Sequence, residues 1–406
     1  MPALSLLNTD QQDKLVHLHS QLTYGQNVQS TCREWAEYYL TEVDIYDVLL
    51  IEEKDFRDYK AFLAGTGQFT KKQVFQLTGF LRKLKKDLIQ NEYKELLSEI
   101  EQCDTAQSQL KGNIRNFLIR QGIRHIREVD YGIREQYENE LRKTKSSGKT
   151  FEYLKALDRI KQFDIQKEMA TLSGRNRGQL KYQGQVIFLP YLPNQELAVE
   201  FDYIRDKTEL VWDFSLDAPE NLKKQVFQIL CYELENIKDS KDRRGRYLLP
   251  LKWLYEFCIE EGIEDIERLE LAQIQKLEAI VAGKVVNVKN SMQIVDNSRK
   301  ILFMSGKEIH WYANVWYLKR FNFAPERINP SNPVYRLTFY EVTHLKNREL
   351  LQEYMRYQVG ISGLTIGNIR SQLSYIKKFL IYFNELESIC QVTDKQIGEY
   401  FRSVQD

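Results

Sequence analysis

Apolar and aromatic residues recur along this chain in one spaced pattern that occurs four times. Each copy begins with an apolar residue and continues with others six, nine, twelve and twenty positions later. The four copies occupy Tyr39, Ile45, Val48, Ile51 and Tyr59; Phe117, Ile123, Ile126, Val129 and Tyr137; Phe257, Ile263, Ile266, Leu269 and Leu277; and Leu380, Leu386, Ile389, Val392 and Tyr400. Because a repeat of this kind is one supersecondary unit, the pattern predicts one helical module made four times, as in a tandem reader of something long.

Each copy is predicted to form a helix, a turn and a second helix. The fourth copy shows this best, because Ile366, Ile369, Leu373 and Ile376 mark one helix face between Thr365 and Phe383. Capping residues follow it and introduce a second helix that carries its own apolar positions. The pattern therefore predicts a small helical module rather than a single amphipathic helix.

A third, closing helix is predicted after the first three copies, over residues 70–102, 148–169 and 287–321. Gly-Ile occupies the predicted turn in two copies, at Gly122 and Gly262. The fourth copy has no closing helix after it. Since a helical module without its last helix leaves apolar surface uncovered, we expect this chain to be the front part of a longer protein.

Two segments depart from helical spacing. Residues 180–214 carry β-prone runs around Gln183-Gly184, interrupted by Pro190 and Pro193, and are predicted to form a small β-hairpin or three-stranded insert. Residues 324–340 contain three prolines and are predicted to be an ordered loop or arm.

The predicted architecture is mainly α and has five parts. They are a first module over 1–102, a second over 103–178, a small β insert over 179–215, a third module with the Pro-containing arm over 216–340, and an incomplete fourth over 341–406.

The composition is typical of packed domains and is neither strongly basic nor strongly acidic. The chain has 406 residues, of which 43% are hydrophobic and 28% are charged, with a net charge of +1. This balance argues against a uniformly basic, nonspecific nucleic-acid binder, but it allows local basic surfaces. The five cysteines are widely spaced and form no C-x-x-C motif, so reduced thiols are predicted. The sequence has neither a signal peptide nor a run of apolar residues that could span a membrane. We expect a cytoplasmic protein that does not contact membranes.

Clusters of basic and small polar residues recur at matching places in the modules. The strongest is RKTKSSGKT at 142–150, because the free N–H groups at a helix N-terminus suit a phosphate. A solvated surface or linker is the alternative for each cluster alone, whereas their recurrence favours nucleic acid. The clusters comprise Arg82, Lys83, Lys85 and Lys86; Arg142, Lys143, Lys145, Ser146, Ser147, Lys149 and Thr150; Arg243, Arg244 and Arg246; Lys289, Asn290, Ser291, Arg299 and Lys300; and Arg370, Gln372, Lys377 and Lys378.

The sequence shows no arrangement of residues typical of an enzyme. It contains no G-x-x-x-x-G-K-[ST] loop and no H-E-x-x-H, and its five histidines have no cysteine at ligand spacing. The acidic residues follow the spacing of helix surfaces. We therefore expect no metal site, no cofactor and no catalytic residue in this chain.

The fourth copy, NRELLQEYMRYQVGISGLTIGNIRSQLSYIKKFLIYFNELES followed by VTDKQIGEYF, resembles the core-binding domain of tyrosine recombinases, the phage-integrase family. In that family the domain is a compact SAM-like helical bundle that precedes the catalytic domain and grips one face of the DNA duplex. The stretches ERINPSNPVYRLTF, LPYLPNQELAV and KTELVWDFS resemble the large transposon-encoded recombinases with a long N-terminal region. The resemblance covers most of the chain and implies tandem SAM-like modules.

This resemblance implies sequence-specific binding of double-stranded DNA in the integration and recombination of a mobile element. The bound DNA would be a recombination site or a transposon end, and other recombinase protomers are possible partners. Helix termini with Lys and Arg would contact phosphates, while polar side chains would reach base edges in the major groove. The candidates for base contacts are Asn113, Arg115, Asn290, Ser291, Arg370 and Gln372.

One departure from the family bears on activity. The catalytic domain of the family carries an Arg, a Lys, a His-x-x-Arg, a further His or Trp and a Tyr nucleophile. Here His125 is followed by Ile-Arg-Glu and His344 by Leu-Lys-Asn, and the chain stops where that domain should begin. We expect DNA binding without strand cleavage by this chain.

Two other functions remain open at this stage. The chain could be a helical scaffold that docks protein partners, with basic clusters that only keep it soluble. It could also be a complete regulator that occupies recombination sites without cutting them. A duplex affinity that falls steeply with salt separates the DNA-binding hypotheses from the scaffold.

Overall fold

The computed structural model describes residues 9–24, 30–104, 107–177, 179–237, 242–386 and 388–405. In this part of the chain the structure is 70% helical, with 17 helices and two small two-stranded sheets, which confirms the mainly α prediction. None of these helices is both long and apolar enough to cross a membrane. The chain divides into two compact units, one formed by residues 1–180 and 188–210 and the other by 181–187 and 211–406.

Unit 1 holds the first two copies of the pattern. Its helices are α1 (Thr9–Leu22), α2 (Ser30–Glu42), α3 (Glu53–Gly65), α4 (Lys71–Glu92), α5 (Lys94–Gln102), α6 (Ser108–Arg120), α7 (Tyr131–Thr144), α8 (Ser147–Met169), α9 (Leu172–Arg177) and α10 (Gln195–Val199). We call α1–α4 module 1 and α5–α8 module 2.

Unit 2 holds the other two copies. Its helices are α11 (Glu220–Asn236), a π-helical turn at Arg243–Leu248 that runs into α12 (Leu249–Glu260), α13 (Leu271–Ala282), α14 (Val288–Ser305), α15 (Leu345–Gly360), α16 (Ile366–Tyr382) and α17 (Asp394–Gln405). We call α11–α14 module 3 and α15–α17 module 4. Strands β1 (Val186–Phe188) and β2 (Val211–Asp213) form one sheet, and β3 (Val315–Tyr317) and β4 (Arg336–Thr338) form the other, which is antiparallel with Trp316 opposite Leu337.

All four modules share one path through the repeated pattern. The second helix ends, the chain reverses, a single 3-10 turn follows and the third helix begins. The 3-10 turns are Val48–Leu50, Ile126–Glu128, Ile266–Arg268 and Ile389–Gln391, so each starts nine positions into the pattern. We call them the module turns.

The chain reversal before three of these turns requires left-handed backbone. Asp44, Gly122 and Gly262 have φ angles of 57°, 71° and 63°, a region that glycine adopts without the steric cost other residues meet. The residue after each donates its N–H to the carbonyl five residues earlier, as when Ile263 N donates to Cys258 O at 2.8 Å. The Gly-Ile pairs of the sequence are therefore helix-terminating turns.

A polar side chain from the opening helix, buried in modules 1, 3 and 4 and half-buried in module 2, anchors each module turn. The backbone N–H that begins the turn donates to Gln21 Oε1 in module 1 at 2.7 Å, to Glu99 Oε2 in module 2 at 2.7 Å, to Gln225 Oε1 in module 3 at 2.9 Å and to Asn347 Oδ1 in module 4 at 2.8 Å. Since a buried N–H without a partner costs about 1–3 kcal/mol, this bond fixes where the opening helix sits.

A cation from the closing helix anchors the same turn from its other side in modules 1–3. Lys85 Nζ donates to Ile51 O, and Lys161 Nζ donates to Ile126 O at 2.9 Å and to Arg127 O at 2.7 Å. In module 3, Arg299 donates to Ile266 O at 3.3 Å and to Leu269 O at 2.6 Å. Burial lowers the pKa of all three cations, and the carbonyl contacts together with nearby carboxylates offset part of the cost of removing them from water.

Apolar residues of the pattern form the cores on which these turns rest. In unit 1, one cluster joins modules 1 and 2 and includes Val48, Tyr59, Ile126 and Tyr137. In unit 2, a cluster joins the β3–β4 sheet to module 4 and includes Trp316. The repeated apolar positions of modules 1–3 are therefore core residues, whereas Leu386, Ile389, Val392 and Tyr400 of module 4 are half-buried.

Several predicted elements differ in the structure. Residues 199–203 end α10 and enter a turn, so the insert contributes only the short strands β1 and β2 and not a three-stranded sheet. The third closing helix stops at Ser305, and Val315–Tyr317 is a strand that pairs with β4 inside the predicted arm. The first closing helix breaks at Tyr93 into α4 and α5. Helices α8, α16 and α17 lie where the sequence predicts them.

Replacing Gln225 by Ala is expected to destabilise module 3 by about 1–3 kcal/mol, because it leaves the buried Ile266 N–H without an acceptor. Hydrogen–deuterium exchange of the segment that contains Ile266 should speed up. Gln293→Ala, at an exposed position of α14, is the matched control and should leave that exchange unchanged. Equal exchange in the two variants would contradict an anchoring role for Gln225.

Glu233 is expected to make unit 2 less stable as the pH rises. Both of its carboxylate oxygens are buried without a hydrogen-bond partner among the described residues, and burial raises its pKa from 4.5 to about 8. The stability that its bound proton contributes is fully present below about pH 4.5 and is lost as the pH rises through about 8. Between these values the free energy of unfolding should fall by up to about 1.4 kcal/mol per pH unit.

The Glu233→Gln variant should lack this contribution, and urea denaturation at a series of pH values measures the difference from the unaltered chain. Glu235→Gln, an exposed position on the same helix, is the control. A Glu233→Gln variant with the same pH dependence as the parent would show that Glu233 is ionised in the folded protein at neutral pH.

Candidate nucleic-acid interface

Six of the predicted site residues are committed to internal contacts. Arg299 and Lys85 hold module turns, and the buried Arg243 donates to Ile237 O. Asn113 Oδ1 accepts from the Tyr137 hydroxyl at 2.7 Å. Ser291 is buried within α14. Lys377 lies half-buried and donates to Glu341 Oε1 at 2.7 Å and to Thr338 O at 3.2 Å. The first five of these side chains are therefore structural, and Lys377 has its own carboxylate partner.

Three predicted cations, Lys377 among them, meet a pair of unpredicted ones in unit 2. Lys300 on α14, Arg370 and Lys377 on α16, Lys319 after β3 and Arg336 on β4 all line one groove of about 850 Å³. We call it the basic groove. It is framed by α14, the β3–β4 sheet and α16, so residues from modules 3 and 4 contribute to it.

The cations of the basic groove differ in whether a carboxylate already pairs with them. Arg336 pairs with Asp296 Oδ1, and Lys377 pairs with Glu341. Lys300, Lys319 and Arg370 are exposed and form no ion pair with any described carboxylate. Three positive charges on the rim are therefore available to a ligand.

Polar groups complete the lining of the basic groove. The Tyr317 hydroxyl donates to Asp296, with Oδ1 at 2.8 Å, and burial raises its pKa so that the hydroxyl keeps its proton. Tyr335 is 74% exposed at the opening, and Ser374 lies on α16 between Arg370 and Lys377. Cations with hydroxyl donors are the chemistry that protein surfaces use to contact a nucleic-acid backbone.

A second cleft, of about 770 Å³, opens at the N-terminus of α8 in unit 1. It contains Arg142, Lys145, Ser147 and Thr150 from the predicted RKTKSSGKT segment. Two further cations, Lys155 and Arg205, also line it. We call it the α8 cleft.

The start of α8 favours an anion in this cleft. Ser146 is the N-cap residue and its side chain makes no capping hydrogen bond, so it satisfies none of the first-turn N–H groups at the positive end of the helix dipole. Arg142 is partly neutralised, because its Nε lies 3.0 Å from Glu138 Oε1. Glu138 and Glu152 also line the cleft, so its excess of positive charge rests on Lys145, Lys155 and Arg205.

Thr150 differs from the rest of the segment. It is buried, with a relative exposure of 4%, and its hydroxyl oxygen has no hydrogen-bond partner among the described residues although the residue lines the cleft. An unpaired buried hydroxyl costs free energy.

The remaining predicted residues lie outside both sites. Arg82 pairs with Glu53 and stacks on Phe56, and Arg246 lies 3.3 Å from Asp242. Gln372 accepts from the Tyr354 hydroxyl at 3.4 Å. The others line neither the basic groove nor the α8 cleft: Lys83, Lys86, Arg115, Lys143, Ser146, Lys149, Arg244, Lys289, Asn290 and Lys378.

Sequence reasoning missed Lys319, Arg336, Lys155 and Arg205. Lys319 and Arg336 belong to segments predicted as closing helix and Pro-containing arm, and neither lies in a basic run as long as RKTKSSGKT. The only sequence feature that could have pointed to Lys319 and Arg336 is their position near the two ends of the Pro-containing arm. Pairing of β3 with β4 is what brings them together.

No group of three or more His, Cys, Asp or Glu side chains within the described ranges could hold a metal ion. None of the five cysteines, all within the described ranges, forms a disulfide; Cys103 and Cys258 are buried while Cys390 is exposed. Comparison of the chain with protein-family models, with curated proteins and with solved structures found no match.

Proposed function

We propose that this chain binds double-stranded DNA in a sequence-specific manner, as the N-terminal part of a site-specific tyrosine recombinase or transposase that acts in DNA integration and recombination. The observation that carries the proposal is the basic groove, in which three cations predicted on two different modules meet Lys319 and Arg336. The resemblance of module 4 to a recombinase core-binding domain supplies the biological setting. DNA would be held and not cut by this chain.

The distribution of charge favours a local nucleic-acid site over a surface that is basic throughout. The chain has a net charge of only +1, yet Lys300, Lys319 and Arg370 concentrate on one groove without carboxylate partners in the described parts of the chain. Phosphate contacts supply much of the affinity for a duplex and fix the register of the protein on it. The basic groove is suited to that task.

The α8 cleft supports a further phosphate contact from unit 1. Its helix N-terminus, Lys145, Lys155 and Arg205 are donors, and Thr150 offers a hydroxyl that is otherwise unpaired. Two separate phosphate sites on one chain would raise the affinity for a long duplex through effective concentration. This agrees with the tandem organisation of the modules.

Replacing Lys300, Lys319 and Arg370 by Ala is expected to weaken binding to a labelled mixed-sequence duplex. Fluorescence anisotropy between about 50 and about 200 mM salt should give a smaller slope of log affinity against log salt, by about one for each phosphate contact removed. Lys60→Ala and Lys346→Ala, which remove exposed charges outside both sites, are the controls.

The basic groove would be rejected as the DNA site if the triple variant and the two controls changed the slope equally. A chain that failed to shift any duplex at the lowest salt would contradict the proposed function as a whole. Selection of duplexes from a randomised pool tests the claim of specificity, since enrichment of one motif is expected.

At the α8 cleft, Thr150→Val is expected to separate ligand binding from stability. It removes an unpaired buried hydroxyl and keeps the shape of the side chain, so thermal stability should stay equal or rise, while duplex affinity falls severalfold because a phosphate contact is lost. Thr144→Val, on the exposed end of α7, is the matched control. Unchanged affinity in Thr150→Val would remove the cleft from the DNA interface.

A further inference from the structure

A second, smaller cleft adjoins the basic groove at the Pro-containing arm of unit 2. Its volume is about 250 Å³, below the roughly 300–1,000 Å³ of pockets that hold drug-sized ligands. It shares Lys319 and residues 333–335 with the basic groove, so the two sites meet at these residues. We call it the arm cleft, and its lining outside the groove includes Leu318, Phe323, Ile328, Asn329, Asn332 and Ile366.

Hydrogen bonds within unit 2 fix the walls of the arm cleft. The Leu318 N–H donates to Tyr335 O at 2.9 Å, which closes the arm between β3 and β4. From the middle of the arm, the Arg327 guanidinium donates to three carbonyls at the end of α15 and in the loop before α16. They are Leu364 O at 2.9 Å, Val359 O at 3.1 Å and Gln358 O at 3.1 Å. The arm is therefore tied to module 4, and the cleft is preformed.

Apolar and aromatic side chains supply most of the wall of the arm cleft. Such a wall does not suit an ion, because burying a charge away from water costs free energy. Among the lining residues only Lys319 is charged, and it belongs to the part shared with the basic groove. The arm cleft thus suits an uncharged group that is attached to an anion in the groove.

Two amide side chains add hydrogen-bonding groups to this wall. Asn329 accepts from the Ser331 N–H with Oδ1 at 3.0 Å, which leaves its amide N–H groups for a ligand. The Asn332 side chain lines the cleft and makes no hydrogen bond within the described parts of the chain. Because an amide both donates and accepts, these side chains match the mixed donors and acceptors on the edge of a nucleobase.

We propose that the arm cleft takes up one unpaired nucleobase of a DNA strand whose phosphates lie in the basic groove. The inference rests on the proposed function, because it needs DNA in that groove. A nucleotide joins an uncharged ring to a phosphate, which is the combination that the two adjoining sites offer. A paired base stays in the stack and shows only its edges, so the base that enters the cleft is unpaired.

The neighbouring charges favour a nucleobase over an apolar side chain of a partner protein. Lys300, Lys319 and Arg370 form no ion pair with any described carboxylate. Phosphates attached to the base would pair with these cations, whereas an apolar side chain would leave them as they are. Tyr335, which is 74% exposed where the two sites meet, offers a ring on which a base can stack.

Gly367 provides a way to fill the arm cleft without disturbing the fold. It lies in the first turn of α16 and lines the cleft. A β-carbon added there would meet no atom within 4 Å outside its own helix backbone and its chain neighbours. Because leucine favours a helix more than glycine does, Gly367→Leu should keep or raise the thermal stability while its side chain occupies the cleft.

The test compares two labelled duplexes of one mixed sequence, of which one carries a single unpaired thymine. Fluorescence anisotropy should show that the unaltered chain binds the bulged duplex about tenfold more tightly, because stacking of the base adds to the phosphate contacts. Gly367→Leu should lose this preference and keep its affinity for the paired duplex. Gly79→Leu is the matched control, since Gly79 lies on α4, outside all three sites, and an added β-carbon there also meets open space.

Permanganate oxidation reports on the unpaired thymine itself, because it attacks the 5,6 double bond of a base that is not stacked in a duplex. The unaltered chain should protect this thymine at a concentration that saturates the duplex, and Gly367→Leu should not. Asn332→Ala, which removes an amide without an internal hydrogen bond, should lower the preference for the bulged duplex severalfold.

Three results would overturn the inference. One is equal affinity of the unaltered chain for the two duplexes; another is a Gly367→Leu variant that keeps both the preference and the protection. The third is a dimer of the unaltered chain, seen by sedimentation, that Gly367→Leu dissociates, because the cleft would then hold a side chain of a second copy. Binding of neither duplex would contradict the proposed function and the inference with it, whereas equal binding of both leaves the proposed function standing.

Discussion

A short 3-10 turn in each module carries backbone groups that must be satisfied away from water, and the rest of the module is arranged around this requirement. The opening helix supplies an acceptor for its first N–H, from Gln21, Glu99, Gln225 or Asn347. In three modules the closing helix supplies a cation for its carbonyls. Because an unsatisfied buried backbone group costs as much as a lost hydrogen bond, the turn ties together helices that lie far apart in sequence.

This constraint separates structural cations from those at the surface. Lys85, Lys161 and Arg299 lie on helices that look like basic faces in sequence, yet they are turned inward and bonded to carbonyls. The charges free to meet a ligand are fewer and lie elsewhere, at the basic groove and the α8 cleft. A chain with almost no net charge can in this way present local positive surfaces while its other cations pair with carboxylates or carbonyls.

The short sheet β3–β4 likewise fixes the positions of core and groove residues in unit 2. Its register sets Trp316 opposite Leu337 within the core shared with module 4. The same register brings Arg336 to the groove that Lys300 and Arg370 line. Arg348 on α15 reinforces this arrangement through two bonds to the Glu270 carboxylate, at 2.6 and 2.7 Å. The groove therefore depends on the packing of module 4 against module 3.

The amino-acid sequence by itself determined the fourfold pattern, the helices built on it and the left-handed turns at Gly122 and Gly262, because these follow from local periodicity and backbone freedom. It also placed Lys300 and Arg370 among the candidates. Only the tertiary structure decided that Arg299 points inward and that Lys319 and Arg336 join the groove. The acceptors Gln21, Glu99, Gln225 and Asn347 share no single spacing, because they precede their turns by 27 residues in modules 1 and 2 but by 41 and 42 residues in modules 3 and 4. Contacts between distant segments depend on packing, and local pattern carries no information about them.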